Sequence, residues 1–269
     1  MELKTLCENI RLPQEMTIQM DAFLRGCDMR QLEPLIEELR TPATALSGME
    51  KLKEKYADAA PANIPLMTCL LLAAARNHAV YAEKGIPDQI LYDTMGVVTR
   101  YCTECHDRTG CWYYDGSGWA CRHAGMRLFR IGILEYEFVE REGERRVSVH
   151  IPAGVVLSQE NLDASVNGAR EFIARYFPEH RGEPFACHSW LLAPALRQML
   201  GEDSGIRRFQ DRFVSIREDA PPDDCVGYVF HVGADTPVCD YPEDTSLQRK
   251  IKALMLDGGH LNCGFGYMK

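Results

Sequence analysis

The sequence predicts an α+β protein in which an all-helical N-terminal domain precedes a mixed α/β sheet domain. Residues 1–106 carry apolar side chains at helical spacing in one segment after another. From Leu128 onward the period becomes strand-like, with apolar and polar side chains alternating. A chain of 269 residues that is 46% hydrophobic is long enough for two domains with real cores. We place the domains at residues 1–120 and 121–269.

Composition argues against several partner classes. The formal net charge is −9, and no basic run is interleaved with aromatic residues, which argues against nucleic acid. The first residues lack a signal-peptide pattern, and the most apolar window, Leu66–Ala75, is too short to cross a bilayer. Eleven cysteines, an odd number, indicate reduced thiols. We therefore expect a soluble cytoplasmic protein with neither nucleic acid nor membrane as partner.

The helical half divides into segments at Pro42, Gly48 and Pro61, which predict breaks. Ile64–Ala82 is apolar almost all round near its start, and this predicts a central buried helix. A further helix is predicted to open at Pro87, where a first-turn proline is tolerated, and to run to about residue 107. Its apolar stripe is Leu91, Met95, Val98, Cys102 and Cys105.

Cys102–His106 spells C-x-x-C-H, the attachment pattern of c-type haem. Haem attachment of that kind takes place outside the cytosol, which argues against it here. A zinc site is the stronger alternative, because Cys111, Cys121 and His123 lie near in sequence. However, only one ligand pair has the short spacing of a structural zinc site. Since Cys102 and Cys105 continue an apolar face, buried thiols are the favoured interpretation. We expect no metal.

Residues 107–126 break the helical pattern with four glycines and several aromatic side chains. We predict a loop with a short hairpin that links the two domains. Trp112 and Trp119 are candidate substrate-binding residues, because their rings suit the lining of a pocket at a domain junction. A hydrophobic seal between the domains is the alternative.

The second half predicts the element order ββαβαββαβ. Leu128–Val139 and Arg145–Pro152 flank a turn and predict a hairpin. Ser158 is predicted to cap a long helix, and the strand Phe185–Leu192 follows. The remaining predicted elements are a short helix at Pro194–Leu200, strands at Ile206–Ile216 and Val226–Val232 around a Pro221-Pro222 turn, a helix from Asp244-Thr245, and an edge strand in the tail GHLNCGFGYM.

Phe185–Leu192, FACHSWLL, sets polar groups into an apolar run. In a strand, successive side chains point to opposite faces, so His188 and Trp190 share one face, and Cys187 and Ser189 share the other. Burial of these polar atoms costs free energy unless each finds a partner. The segment is therefore either a satisfied core network or the floor of a site.

Five stretches carry a family resemblance: LFRIGILEYEF, VSVHIPAG, FACHSWLL, IRRFQDRF and DTSLQRKI. In this order they resemble a bacterial acyltransferase-domain family that has a helical N-acyltransferase N-terminal domain and a GNAT-like C-terminal domain. The resemblance spans nearly the whole chain and is dense from Leu128 onward. Ile133 and Glu135 depart from the family pattern, because they stand where Arg and Gln are usual.

The resemblance implies an N-acyltransferase of the EC 2.3.1 class that moves an acyl group from acetyl-CoA or another acyl-CoA to an amine by direct attack. The usual pyrophosphate loop, Q/R-x-x-G-x-G/A, is not found in the sequence. In its place we expect the start of the last helix to hold the pyrophosphate through its amides. The candidate residues there are Thr245, Ser246, Gln248 and Arg249. Thr245-x-x-Gln248 also reads as a capping box, so an ordinary capped helix is the alternative.

Direct attack needs a base for the amine and an acid for the leaving thiolate. His188 is the first choice of base, since an imidazole titrates near neutral pH, and Glu135 is the alternative carboxylate. Tyr228 is the candidate acid. Arg130 and Trp190 are candidate substrate-binding residues. A nucleophilic Cys187 is less favoured, because an adjacent His188 in a strand points the other way.

Two further hypotheses stay open at this stage. The first is a non-catalytic ligand-binding or regulatory module that keeps a GNAT-like sheet without the donor loop. The second is a cysteine-dependent acyl hydrolase or transferase. The predicted partner is a small-molecule amine acceptor, and a homodimer is allowed. The identity of that amine and the acyl chain length are not encoded in any pattern of the sequence.

Overall fold

The computed structural model describes residues 1–57, 63–116, 118–141, 143–222, 225–233 and 235–269. The chain packs as two compact units. The first comprises Met1–Ile131 with Arg175–Pro178, and the second comprises Gly132–Ala174 with Glu179–Lys269. Within the described ranges, none of the helices combines the length and apolar character needed to cross a membrane.

The first unit is helical, as predicted. Its elements are α1 (Leu3–Asn9), α2 (Gln14–Gly26), α3 (Met29–Leu39), α4 (Ala45–Lys55), α5 (Ile64–Lys84), α6 (Asp88–Thr109), α7 (Cys121–Ala124) and a strand, β1 (Leu128–Ile131). The central buried helix is confirmed, because α5 is buried along most of its length. The apolar stripe of α6 is confirmed as well, since all five of its predicted members are buried.

Two predictions in this unit are wrong. Gly48 lies inside α4 and marks no break. A Cβ at Gly48 would lie 2.9 Å from the Cβ of Glu38, so this glycine lets α4 pack closely on α3. In place of the predicted hairpin at residues 107–126, the described residues form the end of α6, a loop and α7. Pro61, another predicted break, lies outside the described residues.

The second unit is built on a mixed sheet. Its elements are β2 (Leu134–Arg141), β3 (Glu144–His150), α8 (Gln159–Tyr176), β4 (Phe185–Ser189), α9 (Pro194–Met199), α10 (Gly205–Gln210), β5 (Phe213–Pro222), α11 (Cys225–Val229), α12 (Ser246–Leu256) and β6 (Asn262–Met268). Neighbouring strands follow the order β2-β3-β4-β6-β5. Strands β3 and β4 are parallel and joined through α8, whereas the other neighbours are antiparallel.

The C-terminal strand was predicted at an edge, but β6 lies between β4 and β5. Glycine makes this interior position possible. A Cβ at Gly264, which pairs with Ser189, would lie 2.3 Å from the carbonyl oxygen of Leu192. Only a residue without a side chain lets β6 approach the end of β4 so closely.

Two predicted strands are wrong in part or in whole. Ile206–Gln210 is helical, because α10 starts at a Ser204 hydroxyl that accepts a hydrogen bond from the Ile206 amide. Val226–Val229 is helical too, and the Phe230 amide donates to the carbonyl of Val226 at 3.0 Å. Burial explains both, since Phe209, Cys225 and Phe230 are buried side chains of these segments.

Pro221-Pro222 was predicted as a turn, yet β5 runs through to Pro222. Strand β5 is the outer strand of the sheet in this unit, and its register with β6 shifts between Asp219 and Pro222. Proline is tolerated at such irregular edges, because no neighbouring strand requires its missing amide hydrogen.

The sheet has two chemically different faces. Tyr136 and Val149 are paired and buried on the face that packs on α8, where the Tyr136 hydroxyl lies 3.0 Å from Ser165 Oγ. The apolar side of α8 is Leu162, Val166, Ala169 and Ile173, all buried as its helical spacing predicts. The opposite face, which we call the polar face, carries Glu135, Glu137, Ser148, His150 and His188, as strand alternation requires.

Candidate active site

Charged and aromatic side chains line up across the polar face. Register pairs Glu135 of β2 with His150 of β3. Farther across the same face it pairs His188 of β4 with Phe265 of β6, and Phe265 with Arg217 of β5. Directly paired residues of neighbouring strands point to the same face, so these side chains form one row.

The ladder between β3 and β4 ends before it reaches this row, and we call the stretch beyond its last pair the opening. Over the described residues these parallel strands pair at Val147 with Phe185 and at Ser148 with Ala186. His150 lies three residues after Val147 on β3, and His188 lies three residues after Phe185 on β4. Both imidazoles therefore stand at the carboxyl ends of the two strands, one on each side of the opening. The carboxyl ends of parallel strands are where ligands bind in open α/β sheets.

A carboxylate lies against one of the two imidazoles. The Nε2 atom of His150 is 2.9 Å from Oε2 of Glu137, and Glu137 is only 4% exposed. Glu135, two residues earlier on the same face, is 2% exposed. Two acidic side chains are thus buried on a sheet face beside an imidazole, an arrangement typical of sites rather than of cores.

The loop after β3 leads directly into the N-terminus of α8. Ser158 precedes this helix, and its hydroxyl accepts a hydrogen bond from the Asn161 amide at 3.1 Å, which confirms the predicted cap. Gly154 has a positive φ of 76° with no atom near its Cβ position, and Val156 is 68% exposed. An accessible helix N-terminus therefore follows the carboxyl end of β3.

His188, the first-choice base, is exposed on β4 and shares the polar face with Glu135. The structure therefore brings these two predicted residues onto one surface. Trp190 was expected to continue the strand on the face of His188. It lies instead in a 3-10 turn, Trp190–Leu192, which starts because the Ser189 hydroxyl accepts from the Leu191 amide.

Tyr228 lies on α11 rather than on a strand, and it is 65% exposed. The expectation that it lies in a strand, Val226–Val232, is therefore wrong. Its role as the acid stays a prediction.

The start of α12 forms the predicted capping box. Thr245 and Gln248 exchange hydrogen bonds between side chain and backbone. The side-chain Nε2 of Gln248 also donates to the Val229 carbonyl at 3.0 Å. The Arg249 guanidinium donates to the carbonyl of Glu243 at 2.6 Å. Three of the four candidate side chains, those of Thr245, Gln248 and Arg249, therefore bond to backbone, while Ser246 is exposed.

The three remaining candidates belong to the first unit. Arg130 is a half-buried residue of β1. Trp112 stacks on His106 with ring centroids 4.1 Å apart, and the Arg122 guanidinium lies 4.4 Å from the ring centroid of Trp119. A substrate-binding role of these residues stays a prediction.

The cysteines do not assemble into a site. Cys187 is 1% exposed on the face opposite His188, and burial, with Cys263 nearby, raises the pKa of its thiol. Burial also raises the pKa of Cys102 to about 12. Cys121 is buried with its thiol directed at the Gly118 carbonyl, whereas Cys111 is exposed. Over the described part of the chain, no group of three or more His, Cys, Asp or Glu residues has a metal-binding arrangement.

Glu137, Arg146, Arg217 and Phe265 also belong to the polar face, and sequence reasoning did not select them as site residues. The available signal was alternation: EYEF in β2 and RVSVH in β3 place charged residues on one face of a hairpin. Such alternation is typical of a solvated face as well, so only the burial seen in the structure distinguishes the two.

Comparison with solved structures shows a shared fold. An acyltransferase in complex with decanoyl-CoA and teicoplanin is 24% identical, with a TM-score of 0.81 over 100% of this chain and 87% of that chain. An acyltransferase mutant in complex with octanoyl-CoA is 23% identical, with a TM-score of 0.81 over 99% and 87%. A further acyltransferase in complex with decanoyl-CoA is 20% identical, with a TM-score of 0.67 over 100% and 99%.

The chain thus shares the fold of these GNAT-like acyltransferase structures, a helical region followed by a mixed α/β sheet domain. Residues 128–268 match the model of the GNAT-like C-terminal domain, and residues 1–126 match that of the N-acyltransferase N-terminal domain. The chain therefore belongs to the family of the GNAT-like C-terminal domain, and the resemblance read from its motifs is confirmed. No curated protein sequence matches it significantly.

Proposed function

We propose that this chain transfers an acyl group from acyl-CoA to an amine by direct attack on the thioester. The opening between β3 and β4 is the observation that carries the proposal. Over the described residues, the ladder of these two strands does not continue beyond Ser148 and Ala186. An extended chain with amide groups, such as the pantetheine arm of CoA, can pair with strand edges of this kind. That placement would bring the thioester between His150 and His188.

His188 is the proposed base. It would accept the proton that the amine loses as the new C–N bond forms and the C–S bond breaks. The CoA thiolate then leaves and takes up a proton. Exposure of His188 on the polar face supports this role, because a base must reach the acceptor. Glu135 is the alternative base, and Tyr228 remains the candidate acid.

Two helix N-termini compete for the diphosphate of the donor. The α12 terminus, with Thr245, Ser246, Gln248 and Arg249, was the expectation from sequence. We favour the α8 terminus, because α8 follows the carboxyl end of β3 directly and parallel strands flank the opening there. The engagement of Gln248 and Arg249 with backbone also reduces what α12 can offer.

One experiment can identify both the acyl chain that is transferred and the acceptor. Acetyl was the expected group, but the similar structures hold octanoyl-CoA or decanoyl-CoA, which supports testing longer chains. One of them also holds teicoplanin, which supports a small-molecule acceptor. A cytoplasmic location and a homodimer stay predictions.

The experiment combines binding with turnover. Purified protein is titrated calorimetrically with CoA, then incubated with acetyl-, octanoyl- or decanoyl-CoA and a panel of amines, and N-acylated products are detected by mass spectrometry. We expect saturable binding and at least one acylated amine. His188→Gln should lower kcat by about 10²- to 10⁴-fold with unchanged CoA binding. His260→Gln, at another exposed histidine, serves as the control. CoA binding without any turnover would instead favour the ligand-binding module.

A further inference from the structure

Two guanidinium groups converge on one aromatic ring of the polar face. The Cζ atom of Arg146 lies 5.0 Å from the ring centroid of Phe265, and that of Arg217 lies 4.9 Å from the same centroid. Arg146 belongs to β3 and Arg217 to β5, which lie on the two lateral sides of β6, so the two guanidinium groups approach Phe265 from opposite directions on the same face. We call these three residues the guanidinium clamp.

The clamp adjoins the proposed base. Phe265 pairs directly with His188, and Arg217 pairs with Phe265. Side chains paired in this way have Cβ atoms about 5 Å apart on one face. A small molecule held by the clamp would therefore lie beside the His188 imidazole.

Within the described ranges, neither Arg146 nor Arg217 of the clamp forms an ion pair, and their contacts to Phe265 are cation–π. Glu144 shares the strand and face of Arg146, but its carboxylate accepts a hydrogen bond from the Tyr267 hydroxyl at 3.3 Å. Three other arginines of this unit form ion pairs: Arg145 with Glu183, Arg197 with Asp211, and Arg212 with Asp163.

Unpaired guanidinium groups of this kind suit carboxylates and phosphates. Arg presents a planar set of N–H donors that matches such anions, and the ring of Phe265, 6% exposed, keeps both groups oriented. In a chain with a formal net charge of −9, two arginines that form no ion pair within the described ranges, beside a proposed catalytic base, mark a local anion site.

We propose that the guanidinium clamp binds an anionic group of the acceptor, so that the acceptor is a small amine that also carries a carboxylate or phosphate. This inference rests on the proposed function. The donor phosphates are the other source of such an anion, but we assign them to α8. Arg146 lies four residues before His150, about 13 Å back along β3 from the end that leads to α8.

Matched acceptors test the proposal. Each pair consists of an amine with an acidic group and its neutral counterpart: phenylalanine and phenethylamine, or glucosamine 6-phosphate and glucosamine. Steady-state kinetics are measured with acetyl-CoA and octanoyl-CoA for the native protein and for Arg146→Gln, Arg217→Gln and Arg217→Lys. Arg181→Gln, at an exposed arginine of the turn before β4, is the control.

We expect the acidic member of a pair to be the better acceptor. Each Gln variant should raise its KM by about 10-fold or more, since a hydrogen bond to a charged group is lost. The KM of acyl-CoA should stay within about twofold, Arg217→Lys should recover part of the loss, and Arg181→Gln should behave as the native protein. Unchanged melting temperatures exclude misfolding as the cause.

Three results would overturn the inference. If acidic and neutral amines are acylated equally well, the clamp does not select the acceptor, although the proposed function stands. If the Gln variants raise the KM of acyl-CoA instead, the clamp binds donor phosphate. If CoA binds but no amine is acylated, the proposed function fails and this inference fails with it.

Discussion

Nε2 of His150 and Oε2 of Glu137 lie 2.9 Å apart, joining the last residue of β3 to the middle of β2. Register places Glu135, not Glu137, directly opposite His150, so this contact is diagonal across the hairpin. The buried carboxylate fixes the orientation of an imidazole at the edge of the opening. A positioning role for Glu137 follows from this geometry.

A double-mutant cycle measures that contact. His150→Ala should lower the free energy of unfolding by about 1–3 kcal/mol, because it leaves a buried carboxylate without this partner. Combined with Glu137→Gln, the two changes should couple by about 1 kcal/mol in urea unfolding. Additive effects would show that the two side chains contribute independently.

Charge insertion at two helix caps separates the rival diphosphate sites. Asp is as good an N-cap as Ser or Thr, so Ser158→Asp and Thr245→Asp should each keep the helix stable while adding a negative charge. We expect Ser158→Asp to raise the KM of acyl-CoA by about 10-fold or more, since the charge repels phosphate. Thr245→Asp should leave that KM unchanged. The reverse pattern would move the diphosphate to α12.

Alkylation tests the face assigned to Cys187. Burial raises the pKa of this thiol, so it stays protonated at pH 8 and is a poor nucleophile. Iodoacetamide on the folded protein should label the exposed Cys111 and Cys239 and spare Cys187, as peptide mass spectrometry will show. Rapid labelling of Cys187, with loss of activity, would revive a cysteine-dependent mechanism.

Gly264 provides a test of the sheet order. Gly264→Ala would place a Cβ 2.3 Å from the Leu192 carbonyl oxygen, and such overpacking should lower the free energy of unfolding by about 1–3 kcal/mol. Gly201→Ala, where no atom lies within 4 Å, should change it by less than about 0.5 kcal/mol. Equal stability of both variants would contradict the interior position of β6.

Strong local patterns predicted much of this fold. Ile64–Ala82 is apolar almost all round near its start, which predicts the buried helix found as α5, and the box at Thr245 fixes the start of α12 through local hydrogen bonds. The opposite faces of Cys187 and His188 followed from the two-residue period of any strand. Such features need no knowledge of distant contacts.

Short segments and long-range pairings were not predictable in the same way. Residues 206–210 and 226–229 carry the branched and aromatic residues of strands, yet they fold as helices because burial and the Ser204 cap outweigh propensity. The diagonal pair of Glu137 and His150 depends on the exact register of a hairpin, and the meeting of Arg146 with Arg217 over Phe265 depends on register between strands far apart in sequence. No local pattern encodes that register.

The position of the donor is the central claim, and a crystal structure with a non-hydrolysable acyl-CoA analogue tests it most directly. We expect the sulfur-bearing arm between His150 and His188, with the diphosphate at the N-terminus of α8. Density for the analogue at the start of α12, or anywhere outside the opening between β3 and β4, would contradict the account.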